Sequence, residues 1–66
     1  MSRYNVCYWY DSKDKAWNSI EIDDELIRGD NIVTVVDKTD THVTIEYHSG
    51  KRIKLTKEQA LNSLYR

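Results

Sequence analysis

The sequence predicts a mostly β (β-rich α+β) domain: five antiparallel strands in a strongly twisted sheet or small barrel, with one short C-terminal helix. Three observations carry this. Val43, Ile45 and Tyr47 alternate with Thr44, Glu46 and His48, and Ile53 and Leu55 alternate with Arg52 and Lys54, the period of half-buried strands. Tyr4 to Tyr10 is aromatic and β-branched, the composition of a strand. Thr56 to Gln59 has the pattern of a capping box ahead of an apolar stripe at helical spacing.

In chain order, residues 1–3 are expected to fray. A hairpin is predicted over 4–22. Its first strand, Tyr4 to Tyr10, places Tyr4, Val6, Tyr8 and Tyr10 on one face and Asn5, Cys7 and Trp9 on the other. A polar turn over 11–15 leads to a returning strand, Ala16 to Ile22. There Ile20 and Ile22 point inward, and Trp17, Ser19 and Glu21 lie opposite. Residues 23–29 fit a short helical turn capped by Asp23, favoured by acidic residues at its positive end and stopped by Gly29. They fit equally an acidic loop that tucks Leu26 and Ile27 into the core.

A three-stranded meander follows over 31–55. Ile32 to Val36 is apolar on both faces, as in a strand covered on both sides. Its turn, Asp37 to Thr41, contains no glycine, so Asp40 is the candidate for a positive φ. The next turn is His48-Ser49-Gly50, and glycine suits the left-handed third position of a three-residue loop. That loop sets Glu46 opposite Arg52, Ile45 opposite Ile53, Thr44 opposite Lys54 and Val43 opposite Leu55. A two-residue loop would set Ile45 against Lys54 and turn every side chain to the wrong face. The helix, 57–65, is expected to dock Ala60, Leu61, Leu64 and Tyr65 on the sheet, because about two turns do not stand alone.

The 66 residues allow one domain, and a chain of this size buries only about 60% of its unfolded surface. A deep catalytic pocket would compete with the core for the same side chains. The single cysteine permits no intrachain disulfide. No apolar run approaches the ~20 residues needed to cross a bilayer, and no secretory leader follows Met1; a cytoplasmic location without membrane contact is expected. Ten basic and eleven acidic residues argue against a dedicated duplex-DNA binder.

Chemistry-bearing patterns are sparse. Cys7 has no basic neighbour in sequence and reads as an inert thiol. His42 and His48, six apart on one strand, are roughly 20 Å distant, and Glu46 with His48 falls short of a metal site. No phosphate loop, catalytic triad spacing or CxxC motif occurs, so neither enzyme activity nor a cofactor is expected. Seven aromatic residues are too many for so small a core to hide, and Trp and Tyr are common interface anchors. The expected function is therefore a non-catalytic protein-binding module, a small adaptor or inhibitor of the short accessory or phage type. Its surface would comprise Tyr8, Trp9, Tyr10 and Trp17, with the acidic residues Asp23, Asp24 and Glu25. The alternative is an RNA or single-strand binder using Arg52, Lys54 and Lys57, with aromatic rings as a stacking platform. Edge-strand pairing into a homodimer is compatible with either reading.

Gly29-Asp30, then Ile32 to Val36, His42 to Tyr47, Lys51 to Leu55 and the terminal helix together resemble, in pattern, the carbon-storage-regulator family of RNA-binding proteins. Similar spacing occurs in SH3-like and KOW-type small barrels. The likeness spans a little over half the chain and implies an RNA-contacting role for Lys57, at the strand–helix junction. That family's Ala-Pro step before its last strand has no counterpart here.

Overall fold

The computed structural model describes residues 3–66; Met1 and Ser2, part of the expected frayed terminus, lie outside the described residues. Six elements follow in order: α1 (Lys13–Ser19), β1 (Glu25–Arg28), β2 (Asn31–Lys38), β3 (His42–Tyr47), β4 (Arg52–Thr56) and α2 (Lys57–Ser63). The strands form one four-stranded antiparallel sheet in the order β1-β2-β3-β4. It is open rather than a barrel, and the fifth strand expected from the N-terminal hairpin does not form.

The β3–β4 register follows from the three-residue loop. Glu46 pairs with Arg52, Ile45 with Ile53, Thr44 with Lys54 and Val43 with Leu55. Gly50 takes φ +94°, and the Tyr47 N–H donates to the Lys51 carbonyl at 2.7 Å to close the loop. The turn between β1 and β2 is Gly29-Asp30, with Gly29 at φ +62° and Arg28 paired to Asn31. Gly29 thus turns a hairpin instead of ending a helix. Leu26 is buried, as the loop reading of 23–29 expected, but on a strand. The positive φ outside glycine falls at Asp23 (φ 78°), not Asp40. Asp is among the residues that tolerate this region, and there the Asp23 N–H reaches the Val35 carbonyl at 2.8 Å.

β2 is covered on one side only. Val33 and Val35 are buried, while Ile32 is 61% exposed. The register shifts between Val35 and Asp37, making Val36 the extra residue of a bulge. Beyond it the alternation is inverted, and Lys38 comes to the core side opposite buried Val43.

Residues 13–19, expected as turn and returning strand, form α1. Ser12 caps it, its hydroxyl accepting from the Lys15 N–H, and Ala16, Trp17 and Ile20 share one helical face and are buried. Ile22, expected inward, is exposed. The 4–10 segment is mostly turn, touching extended structure only through the bridge of Asn5 to Tyr65. The Tyr4 N–H donates to the Arg66 carbonyl and the Arg66 N–H to the Tyr4 carbonyl, at 3.3 and 2.8 Å; Val6 donates to Leu64 at 3.1 Å. Tyr65 also exchanges both backbone bonds with Ile27, at 2.7 and 2.8 Å. Residues 64–66 therefore lie between the N-terminal segment and the outer edge of β1.

α2 carries both halves of the capping box: Gln59 N–H to the Thr56 hydroxyl, and Thr56 N–H to the Gln59 side chain. The helix ends at Ser63, and Leu64 continues as buried extended chain. Helices and N-terminal segment cover one face of the sheet, giving a two-layer molecule with extents of 33 × 31 × 17 Å. The core joins Leu26, Val33, Val35, Val43, Ile45 and Leu55 of the sheet to residues of the other layer, among them Val6, Trp17, Ile20, Leu61 and Leu64. Among the described residues, no helix is long and apolar enough to cross a membrane.

Candidate functional site: an exposed aromatic cluster

The segment that failed to become a strand displays the aromatic rings instead. Val6 is fully buried and anchors it. The Asn5 side chain bridges two elements: its Nδ2 donates to the Leu61 carbonyl at the end of α2 (2.9 Å), and its Oδ1 accepts from the Cys7 N–H (2.8 Å). Cys7 is half-buried, with Sγ 3.8 Å from the Leu61 carbonyl, in a turn rather than mid-strand. The Tyr8 N–H then reaches the Asn5 carbonyl at 2.8 Å and the Tyr10 N–H the Cys7 carbonyl at 3.1 Å. So tight a turn has no room to fold its large side chains inward.

Tyr8 and Trp9 are consequently 61% and 65% exposed, with Tyr4 and Tyr10 at 37% and 38%. Three rings pack on one another. Tyr4 and Tyr8 have centroids 4.5 Å apart, Tyr8 and Trp9 meet edge-on at 4.8 Å, and Tyr4 and Trp9 lie 5.4 Å apart. Such pairs contribute about 0.5–1.5 kcal/mol each, which holds the rings in place while their outer surfaces stay in water. The sequence counts Tyr4 among the aromatic residues too many for the core to hide, but the binding surface expected from it, Tyr8 to Trp17, leaves Tyr4 out. Its spacing of i, i+4 and i+5 to Tyr8 and Trp9 was available, but as a strand pattern it put Trp9 on the opposite face.

Trp17 does not belong to this surface. It is buried under the sheet, with Lys38 Nζ 5.0 Å and Lys57 Nζ 5.9 Å from its ring centroid. The acidic residues are dispersed as well. Asp23 is the exposed kink before β1. Asp24 is half-buried, accepting from the Glu21 N–H at 3.0 Å and lying 3.7 Å from the Arg66 guanidinium. Glu25 lies on the far, open face of the sheet, opposite Thr34. There it lines a shallow cavity of about 280 Å³ with Ile32, Thr34, Glu46, Tyr47 and His48.

The basic residues separate too. Arg52 and Lys54 share the open face of the sheet, and Arg52 Nε is bound to Glu46 at 2.8 Å. Lys57, at the start of α2, holds Asp14 of α1 at 2.7 Å; this hydrogen bond, with the lysine charge, keeps the Asp14 carboxyl below its ordinary value. Among the described residues, no three of His, Cys, Asp and Glu are grouped to hold a metal ion. No protein-family model matches the chain, and neither curated proteins nor solved structures give a significant match. The assignment therefore rests on the site itself.

Proposed function

We propose that this chain is a non-catalytic protein-binding module, a small cytoplasmic adaptor or inhibitor, and that it engages its partner through Tyr4, Tyr8 and Trp9. The observation that carries this is the packing of three exposed rings, 4.5–5.4 Å apart, on a loop pinned to α2 by Asn5. A contiguous exposed aromatic patch contributes little to folding, and patches of this kind mark interaction sites. Pre-ordered rings also lose little freedom on binding, which is why Trp and Tyr dominate interface energetics. This surface is narrower than the one expected from sequence: Trp17 is buried, Tyr10 is outside the three packed rings, Tyr4 joins them, and the acidic residues do not adjoin them as one patch. With Arg52 and Lys57 held by carboxylates, the nucleic-acid alternative is the weaker one.

The test is capture of partners by immobilised chain, comparing wild type with a Tyr8→Ala/Trp9→Ala double variant. The double variant should stay folded by circular dichroism and lose at least about tenfold in recovery of the specific partner, the loss of ~1.4 kcal/mol or more expected of an anchor. Equal recovery by wild type and variant would refute the aromatic site. Unfolding of the variant would show that the rings are structural.

A further inference from the structure

We infer that the open edge of β4 is a second binding site, which takes an acidic extended segment of a protein as an additional antiparallel strand. The two edges of the sheet differ. Both β1 and β4 end the strand order; β1 is covered by the backbone of Tyr65, whereas among the described residues no backbone bridges to β4 from its outer side. Because Tyr47 and Lys51 are a hydrogen-bonded pair, the alternation of an antiparallel ladder turns the backbone of Ile53 and Leu55 toward β3 and that of Arg52, Lys54 and Thr56 outward. The Thr56 N–H is already taken by Gln59. What remains is the N–H and C=O of Arg52 and of Lys54, a short template for strand addition.

The chemistry of the edge selects the occupant. Residues 51–57 carry four basic side chains and no acidic one; Glu46 pairs with Arg52 and Asp14 with Lys57, so that among the described residues Lys51 and Lys54 carry the uncompensated positive charge of this edge. A second copy of this chain fits poorly, since antiparallel pairing centred on Ile53 sets Arg52 opposite Lys54 of the second copy. Like charges directly opposite destabilise a sheet. A partner strand with acidic residues opposite Arg52 and Lys54 replaces that repulsion with attraction. Its intervening residue points to the core side and covers Ile53, which is only half-buried. The recognised pattern is acidic–apolar–acidic. The alternative role of edge lysines is to repel such strands, and the two roles differ in whether an acidic strand binds.

The experiment titrates the blocked peptide Ac-VEVEV-NH₂ into isotope-labelled protein and follows amide resonances and hydrogen exchange, with Ac-VKVKV-NH₂ and decauridylate as comparison probes. Expected is binding on the order of 0.1–1 mM, weakening with salt, with exchange at Arg52 and Lys54 slowed at least about tenfold at saturation. Lys54→Gln should weaken binding about threefold through loss of charge alone. Lys54→Pro, tolerated on an edge where the N–H faces solvent, should abolish it. Absence of protection at millimolar peptide overturns the proposal. So does equal binding of the lysine peptide, protection by decauridylate, or protection that grows with protein concentration alone, which would name a second copy as the occupant. If Lys54→Pro unfolds, Lys54→Gln and the peptide pair still decide. The aromatic site stands or falls separately, because Tyr8→Ala/Trp9→Ala should leave this titration unchanged.

Discussion

Lys38 shows how one backbone irregularity reassigns a side chain. The bulge at Val36 turns it to the core side, where its Nζ donates to the carbonyls of Trp17 and Ile20, both at 2.6 Å. These carbonyls lie at the C-terminal end of α1, where a cation is favoured by the helix dipole. Burial nevertheless dominates and pushes the amine below the ordinary lysine value; the charges of Glu21 and Asp24 oppose this shift, and Lys57 adds to it. The neutral amine keeps two hydrogens, enough for both carbonyls. Deprotonation thus relieves the desolvation without breaking either bond. With a lowered folded-state pKa, the unfolded chain binds more protons at alkaline pH, so this group's contribution to stability rises with pH between its folded value and its unfolded value near 10.5. Urea titrations of wild type against Lys38→Met should show that difference growing over this window, on top of a loss of about 1–3 kcal/mol from the Ile20 carbonyl left without a donor; the Trp17 carbonyl keeps the Ile20 N–H at 3.1 Å. None of this was legible in the sequence. A bulge leaves no residue signature in Val35-Val36-Asp37, and the expected strand stops at Val36, which leaves Lys38 in the polar turn 37–41 instead of in β2.

Elements with paired local signals were legible, and elements read from composition alone were not. The α2 start was fixed by Thr56 and Gln59 acting on each other, and the β3–β4 register by Gly50 together with two facing apolar rows. Thr56→Ala should cost about 0.5–2 kcal/mol in chemical denaturation, since it removes one half of the box and opens the other. The α1 signals were also present: Ser12 as a cap, then Ala16, Trp17 and Ile20 at helical spacing. Seven residues, only Ala16 and Trp17 of them buried, are too few for a helical period to stand out, and Ile20 with Ile22 imitated a strand. The Tyr4–Tyr10 segment misled more thoroughly. Five of its residues favour strands, yet of them only Val6 is buried. Aromatic side chains there reflect display on a turn, and strand propensity registers side-chain fit to a packed surface rather than a backbone preference.

At the scale of the whole molecule, barrel and open sheet share the same meander. They differ in what happens to the second face of β2, which no local pattern encodes. Ile32 and the polar row of Glu25, Thr34, Glu46 and Arg52 lie on the open face because the two helices and the N-terminal segment all lie on the other side. The molecule depends instead on its termini. Leu64 is fully buried and fixes the strand that joins Val6 to Ile27. Leu64→Ala should cost about 2–5 kcal/mol, comparable with the whole stability of about 3–5 kcal/mol that a core of this size supplies. A thermal scan should find it largely unfolded near room temperature. The same arrangement sets the molecule's response to force. Residues 4–6 and 64–66 run antiparallel, with Tyr4 and Arg66 bonded at the open end. Tension applied through the two ends loads those bonds one after another, as in a zipper, instead of together in shear. The first segment to peel away is the one that presents Tyr4, Tyr8 and Trp9. A pull through a partner gripping that cluster would therefore draw Val6 out of the core before it loads the ladders of the four strands.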